Sequence, residues 1–122
     1  MRFGLKLASL VLATALPLSS AAAGQPGHPL YDQLSDADRA QAVTTVQDAL
    51  VHRLSGQSST WRGTAAGVRG SVTPLRTFRI VTGHWCREFQ ETVILPALAE
   101  VRVLTACRSQ DDGRWIVVGP GS

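Results

Sequence analysis

The chain has 122 residues, of which 12 are basic and 9 acidic, so its formal net charge is +3. Without Arg2 and Lys6 near the N-terminus, 10 arginines face the same 9 acids, and the charge falls to +1. This near-neutral balance argues against nucleic-acid binding, and 2 cysteines with 3 scattered histidines show no zinc-ligand spacing. Roughly a hundred residues remain for one small core, a size that is only marginally stable without additional cross-links.

The N-terminus has the three parts of a secretory signal peptide. Arg2 and Lys6 are followed by an apolar run and then by small residues at Ala21 and Ala23. The run falls short of the ~20 residues that a membrane span needs. We therefore expect residues 1–23 to be cleaved, which leaves no transmembrane span; an uncleaved anchor is the alternative. No cysteine near the cleavage point offers a lipid acceptor, so release into the exported compartment is expected.

A flexible linker is expected over residues 24–34. The linker starts with GQPGHP, whose prolines and glycines prevent regular structure and which has no apolar face to bury. His28 in this segment has no ligand-type residue near it in sequence, so we do not expect it to bind a metal.

The clearest helical pattern runs from Ser35 to Ser55. Ser35 is placed to cap the first turn, and Asp38, three residues later, is placed to reach back as a capping-box acid. His52 falls in the last turn, where a basic group complements the helix dipole. One apolar stripe is predicted at helical spacing, formed by Val43, Val46, Leu50 and Leu54.

After the helix, the apolar period changes from helical to alternating. This pattern predicts an α+β domain over residues 35–119, in which an N-terminal amphipathic helix packs on a four- to five-stranded antiparallel β-meander, with a tail at 120–122. Pro74 is expected to bend or end the strand that contains it. The better strands are predicted at Thr60–Arg62, Thr77–Val81, Trp85–Val93 and Trp115–Val118, with turns at Thr82-Gly83 and Asp112-Gly113.

The register of the central hairpin follows from its numbering. A turn centred between Pro96 and Ala97 pairs positions whose numbers add to 193, and Cys86 with Cys107 gives that sum. The same register opposes Phe89 to Leu104, an apolar pair, and Glu91 to Arg102, a pair of opposite charge. A disulfide between Cys86 and Cys107 is therefore predicted in an oxidising compartment, with a stabilising effect of about 3 kcal/mol.

Several segments resemble the C-terminal domain of the 17 kDa surface antigen family of bacterial envelopes. They are Trp61, GVRGSVT at 67–73 with Pro74, CREF at 86–89, ACR at 106–108 and DGRW at 112–115. The resemblance covers most of the chain after residue 23, from the helix to Val118. It implies an envelope-associated or surface-exposed protein, with no established enzymatic activity to carry over.

The sequence departs from the family pattern in three places. Many members carry a lipidated N-terminal cysteine and a glycine-zipper segment, and neither is found here, so direct outer-membrane anchoring is not implied. Pro96, Ala97 and Leu98 also replace an expected glycine-rich turn and expose apolar residues, which makes this hairpin tip a candidate contact point.

No catalytic apparatus is predicted. A nucleophile needs a nearby base, and Cys86, which is predicted to be disulfide-bonded, is close to His84 only in sequence. A cysteine-dependent or hydrolytic enzyme is the third hypothesis, and two free thiols in the exported protein would support it. Glu88 and Glu91 point to opposite faces of a strand and cannot share a substrate. We expect no catalytic residue, no metal and no cofactor.

The arginines that alternate with tryptophans are expected to form a solvated sheet face, with binding of anionic envelope material or an acidic protein as the alternative.

The resulting hypothesis is a non-enzymatic envelope domain that acts through protein or glycan contacts. The expected partner is an envelope protein or a cell-wall glycan, not nucleic acid, and the location is the periplasm or the outer membrane and cell surface. The alternative is a soluble periplasmic inhibitor or ligand-binding module, whose hairpin tips at His84 and at residues 96–98 enter a target cleft. The oligomeric state is left open.

Overall fold

The computed structural model describes residues 27–121, so the predicted signal peptide and the first residues of the predicted linker lie outside the described residues. The five strands form one antiparallel sheet in the order β1-β2-β3-β4-β5, which confirms the α+β class and the meander. In chain order the elements are a 3₁₀ helix (Pro29–Gln33), α1 (Asp36–His52), β1 (Ser59–Arg62), β2 (Arg69–Arg79), β3 (Trp85–Leu95), β4 (Leu98–Arg108) and β5 (Trp115–Pro120).

Helix α1 starts at the predicted cap and ends three residues earlier than predicted. The Oγ of Ser35 accepts the N–H of Asp38 at 3.1 Å, as an N-cap does. The prediction that Asp38 closes a capping box is wrong. Its Oδ1 instead accepts the N–H and the hydroxyl of Thr64, at 2.7 and 3.0 Å, and these hydrogen bonds lower the pKa of the carboxyl group. Asp38 therefore ties the loop after β1 to the start of the helix.

The apolar stripe of α1 is rotated from the predicted one. Val46 and Leu50 are buried as expected, but Val43 is 37% exposed and Leu54 70% exposed. Ala42 and Ala49, fully buried, take their places facing the sheet. Small side chains at these positions allow the helix to lie close to the strands. Val43 is turned toward solvent, and Leu54 lies beyond the end of the helix at His52.

Two clusters form the core between the helix and one face of the sheet. One lies under the middle and C-terminal turns of α1, and the other lies under its N-terminal turns and the 3₁₀ helix. The first contains Val46, Ala49, Leu50, Val72, Phe89, Leu104, Ala106 and Trp115. The second contains Leu30, Leu34, Ala42, Trp61, Val68 and Val93.

The predicted register of the central hairpin is confirmed. Cys86 pairs with Cys107 and Phe89 with Leu104, around a turn at residues 96–97. The chain around Pro74 forms one continuous strand, β2, rather than two, with a register shift between Pro74 and Arg76. Pro74 therefore bends the strand without ending it, as proline does at a bulge.

The sheet also extends past the predicted end of the domain at residue 119. Pro120, which was placed in the tail, is the last residue of β5 and pairs with Leu104. The N–H of Gly121 donates to the carbonyl of Val103 at 2.8 Å. Within residues 27–121, no helix combines the length and the hydrophobicity that a bilayer crossing demands.

The prediction of a flexible linker is wrong for the described part of residues 24–34. His28 is only 3% exposed, and Leu30 and Leu34 are buried in the second core cluster. The Nδ1 of His28 accepts the N–H of Leu30 at 3.1 Å, and its Nε2 lies 3.1 Å from the carbonyl oxygen of Glu100. The imidazole thus caps the 3₁₀ helix and fastens it to β4.

Candidate functional site

The predicted contact residues lie at opposite ends of strand β3. His84 precedes β3 in the hairpin that follows β2, whereas Pro96, Ala97 and Leu98 form the hairpin that follows β3. The 11 residues of β3 separate them, which at strand geometry is about 35 Å. Pro96, Ala97 and Leu98 are exposed and His84 is half-buried. The two tips are not brought together into one site.

The helix leaves one end of the sheet uncovered. Every second side chain of β3 faces the helix side of the sheet. Arg87 is one of these, and it is only 7% exposed beneath the last turns of α1, where its Nη1 donates to the Leu50 carbonyl at 2.7 Å. Trp85, two residues further toward the end of the sheet on the same side, is 45% exposed. We call this uncovered region, residues 79–85 and 108–114, the open end.

Two hollows meet at the open end, and Trp85 and Arg108 line both. One, of about 380 Å³, lies between the tips of the β2–β3 and β4–β5 hairpins. The other, of about 330 Å³, lies beside the last turn of the helix. The first is also lined by Gly83, His84, Ser109, Gln110, Asp112 and Gly113.

The open end carries three arginines and two aspartates, a net charge of +1, namely Arg79, Arg108, Arg114, Asp111 and Asp112. The guanidinium carbon of Arg79 lies 5.0 Å from the centre of the Trp85 ring, a cation–π contact. Within residues 27–121, neither Arg79 nor Arg108 forms an ion pair with a carboxylate. The carboxylate on the rim, Asp112, accepts the backbone N–H of Arg114 at 3.0 Å, which holds it in its turn.

The predicted disulfide between Cys86 and Cys107 is confirmed, and it lies directly behind this site. Trp85 precedes Cys86 and Arg108 follows Cys107, and consecutive residues of a strand point to opposite faces. The bridge therefore lies on the sheet face away from the helix and joins the two strands at the point where Trp85 and Arg108 project from the other face.

The expectation of a solvated arginine face is correct for some arginines and wrong for Arg87. This guanidinium is buried under the helix, and its burial lowers the pKa. Its Nη1 donates to the carbonyls of Ala49 and Leu50, while its Nε has no partner among the described residues. Arg87 is two residues before Phe89 on β3, so both side chains face the same side of the sheet. This spacing is the sequence signal that places Arg87 on the helix side.

A second polar centre lies under the 3₁₀ helix. Glu91 is 1% exposed and its Oε2 accepts the hydroxyl hydrogen of Tyr31 at 2.5 Å. Burial raises the pKa of Glu91 to about 7 and that of Tyr31 well above its usual range. The predicted charge pair with Arg102 is wrong, although the register is right, because Arg102 forms its ion pair with Glu100.

Glu91 and Tyr31 line a small pocket of about 190 Å³ at the β5 side of the domain. Gln47 of α1 lines it and pairs with the backbone of Trp115, accepting its N–H at 3.1 Å and donating to its carbonyl at 2.6 Å. These bonds occupy part of the exposed edge of β5. The side chain of Gln47 thus links the helix to the sheet edge.

The two strand carboxylates behave as their alternation predicts. Glu88 forms an ion pair with Arg76 on the face away from the helix, whereas Glu91 lies on the helix side. A search of residues 27–121 finds no group of three or more histidine, cysteine or acidic side chains placed to hold a metal ion.

Comparison with known proteins places these features in a family. A family model described as 17 kDa outer membrane surface antigen matches residues 48–116. The 17 kDa surface antigen of Rickettsia bellii (strain RML369-C) is 40% identical over 85 residues, which are 70% of this chain and 53% of that protein. The corresponding antigen of Rickettsia felis is 41% identical over 85 residues, with the same coverage.

The antigen of Rickettsia prowazekii (strain Madrid E) is 40% identical over 83 residues, which cover 68% of this chain and 52% of that protein. The chain thus spans about half the length of the curated relatives it matches. No solved structure gives a significant match. The matched region runs from α1 into β5 and contains Trp85, Arg108 and both cysteines. The chain belongs to the 17 kDa outer membrane surface antigen family.

Proposed function

We propose that this chain is a non-enzymatic domain of an exported envelope protein and that it acts by binding another envelope component at its open end. The observation that carries the proposal is the exposed ring of Trp85, which lies on the otherwise buried side of the sheet where the helix stops. Two supports are independent of it. The relatives are named surface antigens, and a disulfide is typical of exported proteins.

The open end has the composition of a contact surface. Tryptophan and arginine are the residues most enriched where proteins bind their partners, because each offers a large apolar area together with directed hydrogen-bond donors. Trp85 and Arg79 form such a pair, and Arg108 lies across the same hollow. His84 lies on the rim, with its Nδ1 2.8 Å from the hydroxyl of Thr82.

The β3–β4 tip, residues 96–98, is retained as a second candidate contact. It is exposed and apolar, with Leu98 43% exposed. Since it lies at the far end of β3 from His84, it serves a different partner surface. A soluble inhibitor that inserts both tips into one cleft does not fit this separation, but an inhibitor that uses one tip does.

Photo-crosslinking in cells tests the proposal. A benzophenone amino acid replaces His84 at the open end, Leu98 at the far tip, or Val51 on the exposed side of the helix as a control. Soluble periplasmic and envelope fractions are separated before the crosslinked partners are identified.

We expect crosslinks from position 84 to an envelope protein or to cell-wall glycan, with few from position 51. Crosslinks from either tip to one secreted enzyme in the soluble fraction would overturn the proposal in favour of the inhibitor. Equal crosslinking from all three positions, or none from position 84, would show that the open end is not the contact surface.

A further inference from the structure

We infer that the ligand of the open end is a saccharide that carries a carboxylate, with its ring packed on Trp85 and its anionic group bound by Arg108. The inference rests on the proposed contact function and names the ligand class of the same site. It follows from three features of the open end: an aromatic surface, a guanidinium without a carboxylate partner, and a rigid connection between them.

The aromatic surface is the ring of Trp85. Its exposed part lines a hollow of about 380 Å³, within the roughly 300–1,000 Å³ typical of small-molecule sites. Sugar rings present a face of C–H groups that packs on an indole ring, while their hydroxyl groups stay at the rim. The polar residues Ser109 and Gln110 line this hollow as well.

The guanidinium group is that of Arg108. Arginine binds carboxylates through two parallel N–H bonds, which a lysine cannot reproduce. Arg108 lies over Gly113, where a Cβ would be 3.5 Å from its Nη2. Gly113 has φ +73°, a conformation that favours glycine, and the absence of a side chain leaves room for the guanidinium beside the hollow.

The disulfide fixes the backbone spacing of the two residues that carry these groups. Cys86 and Cys107 are a directly opposed pair, so the next residues outward, Trp85 and Arg108, lie side by side across the same two strands. A site that is already ordered loses less conformational entropy when it binds. The cross-link thus holds the two backbone positions that carry the aromatic and the cationic side chain next to each other in the free protein.

A saccharide fits this arrangement better than an acidic peptide does. A peptide with several carboxylates needs several available cations in a row. Of the other arginines within residues 27–121, only Arg79 lies at this hollow, on the ring of Trp85. Arg114 lines the pocket beside Glu91, Arg76 pairs with Glu88, and Arg87 is buried against the helix carbonyls. One ring surface beside one or two guanidinium groups matches a single sugar ring with a single anion.

A pair of sugars that differ in one group tests the inference. N-acetylmuramic acid is N-acetylglucosamine with an added carboxylate-bearing ether, so the two separate ring packing from anion binding. Each is titrated into the disulfide-bonded chain, and binding is followed by amide NMR shifts and by tryptophan fluorescence. Trp61 and Trp115 are buried, so the fluorescence change reports mainly on Trp85.

We expect N-acetylmuramic acid to shift the amides of the open end and to bind at least about tenfold more tightly than N-acetylglucosamine, as one charge-assisted contact provides. Arg108→Gln should remove this preference, and Trp85→Leu should weaken the binding of both sugars. Arg69→Gln, an exposed arginine at the other end of β2, should change neither. Thermal melts identify any variant that fails to fold, and Arg108→Lys then provides a milder replacement.

Equal binding of the two sugars, no binding of either, or tighter binding of a polyglutamate peptide would overturn the saccharide inference. In that case, crosslinks from position 84 to an envelope protein would leave the proposed contact function intact. If those crosslinks were also absent, the proposed function would fail as well. The two failures are therefore distinguishable.

Discussion

Replacing Glu91 by glutamine should stabilise the domain at high pH and leave its stability in acid nearly unchanged. Burial raises the pKa of this carboxyl group from 4.5 to about 7, so the fold favours the protonated form. As pH rises from the unfolded to the folded pKa, the unfolded state releases its proton first and stability falls. The stabilising effect of the protonated group is therefore complete below the unfolded pKa and is lost as pH rises through the folded pKa.

The size of the effect follows from the shift. Each pKa unit corresponds to about 1.4 kcal/mol, so the free energy of unfolding should fall by about 3 kcal/mol across this window. That is a large part of the roughly 5–15 kcal/mol that stabilises a typical small domain. Glutamine is neutral at every pH, and its side-chain oxygen can still accept the Tyr31 hydroxyl hydrogen. Glu91→Gln should therefore become the more stable protein by up to about 3 kcal/mol near pH 8.

Urea unfolding of the wild type and Glu91→Gln, with the disulfide intact, measures this difference from about pH 4 to about pH 8. The difference between the two curves isolates Glu91. Burial lowers the pKa of His28, so its contribution has the opposite sign and is lost as pH falls below 6.5, in both proteins alike. Asp48→Asn, at an exposed helix position, is the charge-matched control. A difference that stays constant with pH would refute the reasoning.

Three further predictions concern the packing around the site. Replacing Cys86 and Cys107 by alanine should lower the free energy of unfolding by about 3 kcal/mol, since the closed loop loses its cross-link; equal urea midpoints would contradict this. Gly70→Ala should lower the stability of the domain by about 1–3 kcal/mol, because the new Cβ would lie 2.5 Å from a buried tryptophan ring. Gly119→Ala is the control: nothing lies within 4 Å of its new Cβ, so thermal melts should place its stability within about 0.5 kcal/mol of the wild type. Tyr31→Phe removes a hydrogen bond from the buried carboxylate and should cost about 1–3 kcal/mol, more at alkaline than at acid pH; a cost that is the same at both pH values would count against this account.

The sheet could be predicted from the sequence because its strands and turns leave patterns in short stretches of the chain. Strand alternation and one turn position fix a register, and the sum of 193 for Cys86 and Cys107 tests it with the printed numbers alone. The disulfide followed from this register, and the α+β class followed from the change of apolar period after the helix. The register does not say which face of the sheet the helix covers or where that cover ends. The exposure of Trp85 beyond the helix was therefore not predictable.

The partners of the buried polar groups depend on contacts between distant parts of the chain. Glu91 was expected to pair with Arg102, its neighbour across the strands, but it bonds to Tyr31, 60 residues earlier in the sequence. His28 reaches Glu100, 72 residues away. A 3₁₀ helix of 5 residues has no periodicity to detect, and the glycines and prolines of GQPGHP, which leads into it, indicate a linker.

The phase of helix α1 was misjudged for a chemical reason. Alanine has a weak hydrophobic signal next to valine and leucine, so Val43 and Leu54 were placed on the buried face in preference to Ala42 and Ala49. Asp38 lies one turn before Ala42 on the buried face. Because Asp38 is charged, it was predicted to cap the helix end and not to lie in the interior. Its burial becomes visible only when the loop at residues 63–68 packs against it.

The arrangement of the open end separates the residues that stabilise the fold from the residues that we propose bind a ligand. The core clusters hold the helix against the middle of the sheet, and their packing does not extend to the strand ends at Trp85 and Arg108. At that point the strands are joined by Cys86 and Cys107 on the opposite face. Side-chain alternation lets the two strands keep a covalent bond on one face and an exposed aromatic and cationic pair on the other. The ring of Trp85 is therefore not needed for the core and can remain exposed to solvent. A binding surface for a partner needs such a ring, because a ring packed in the core could not contact the partner.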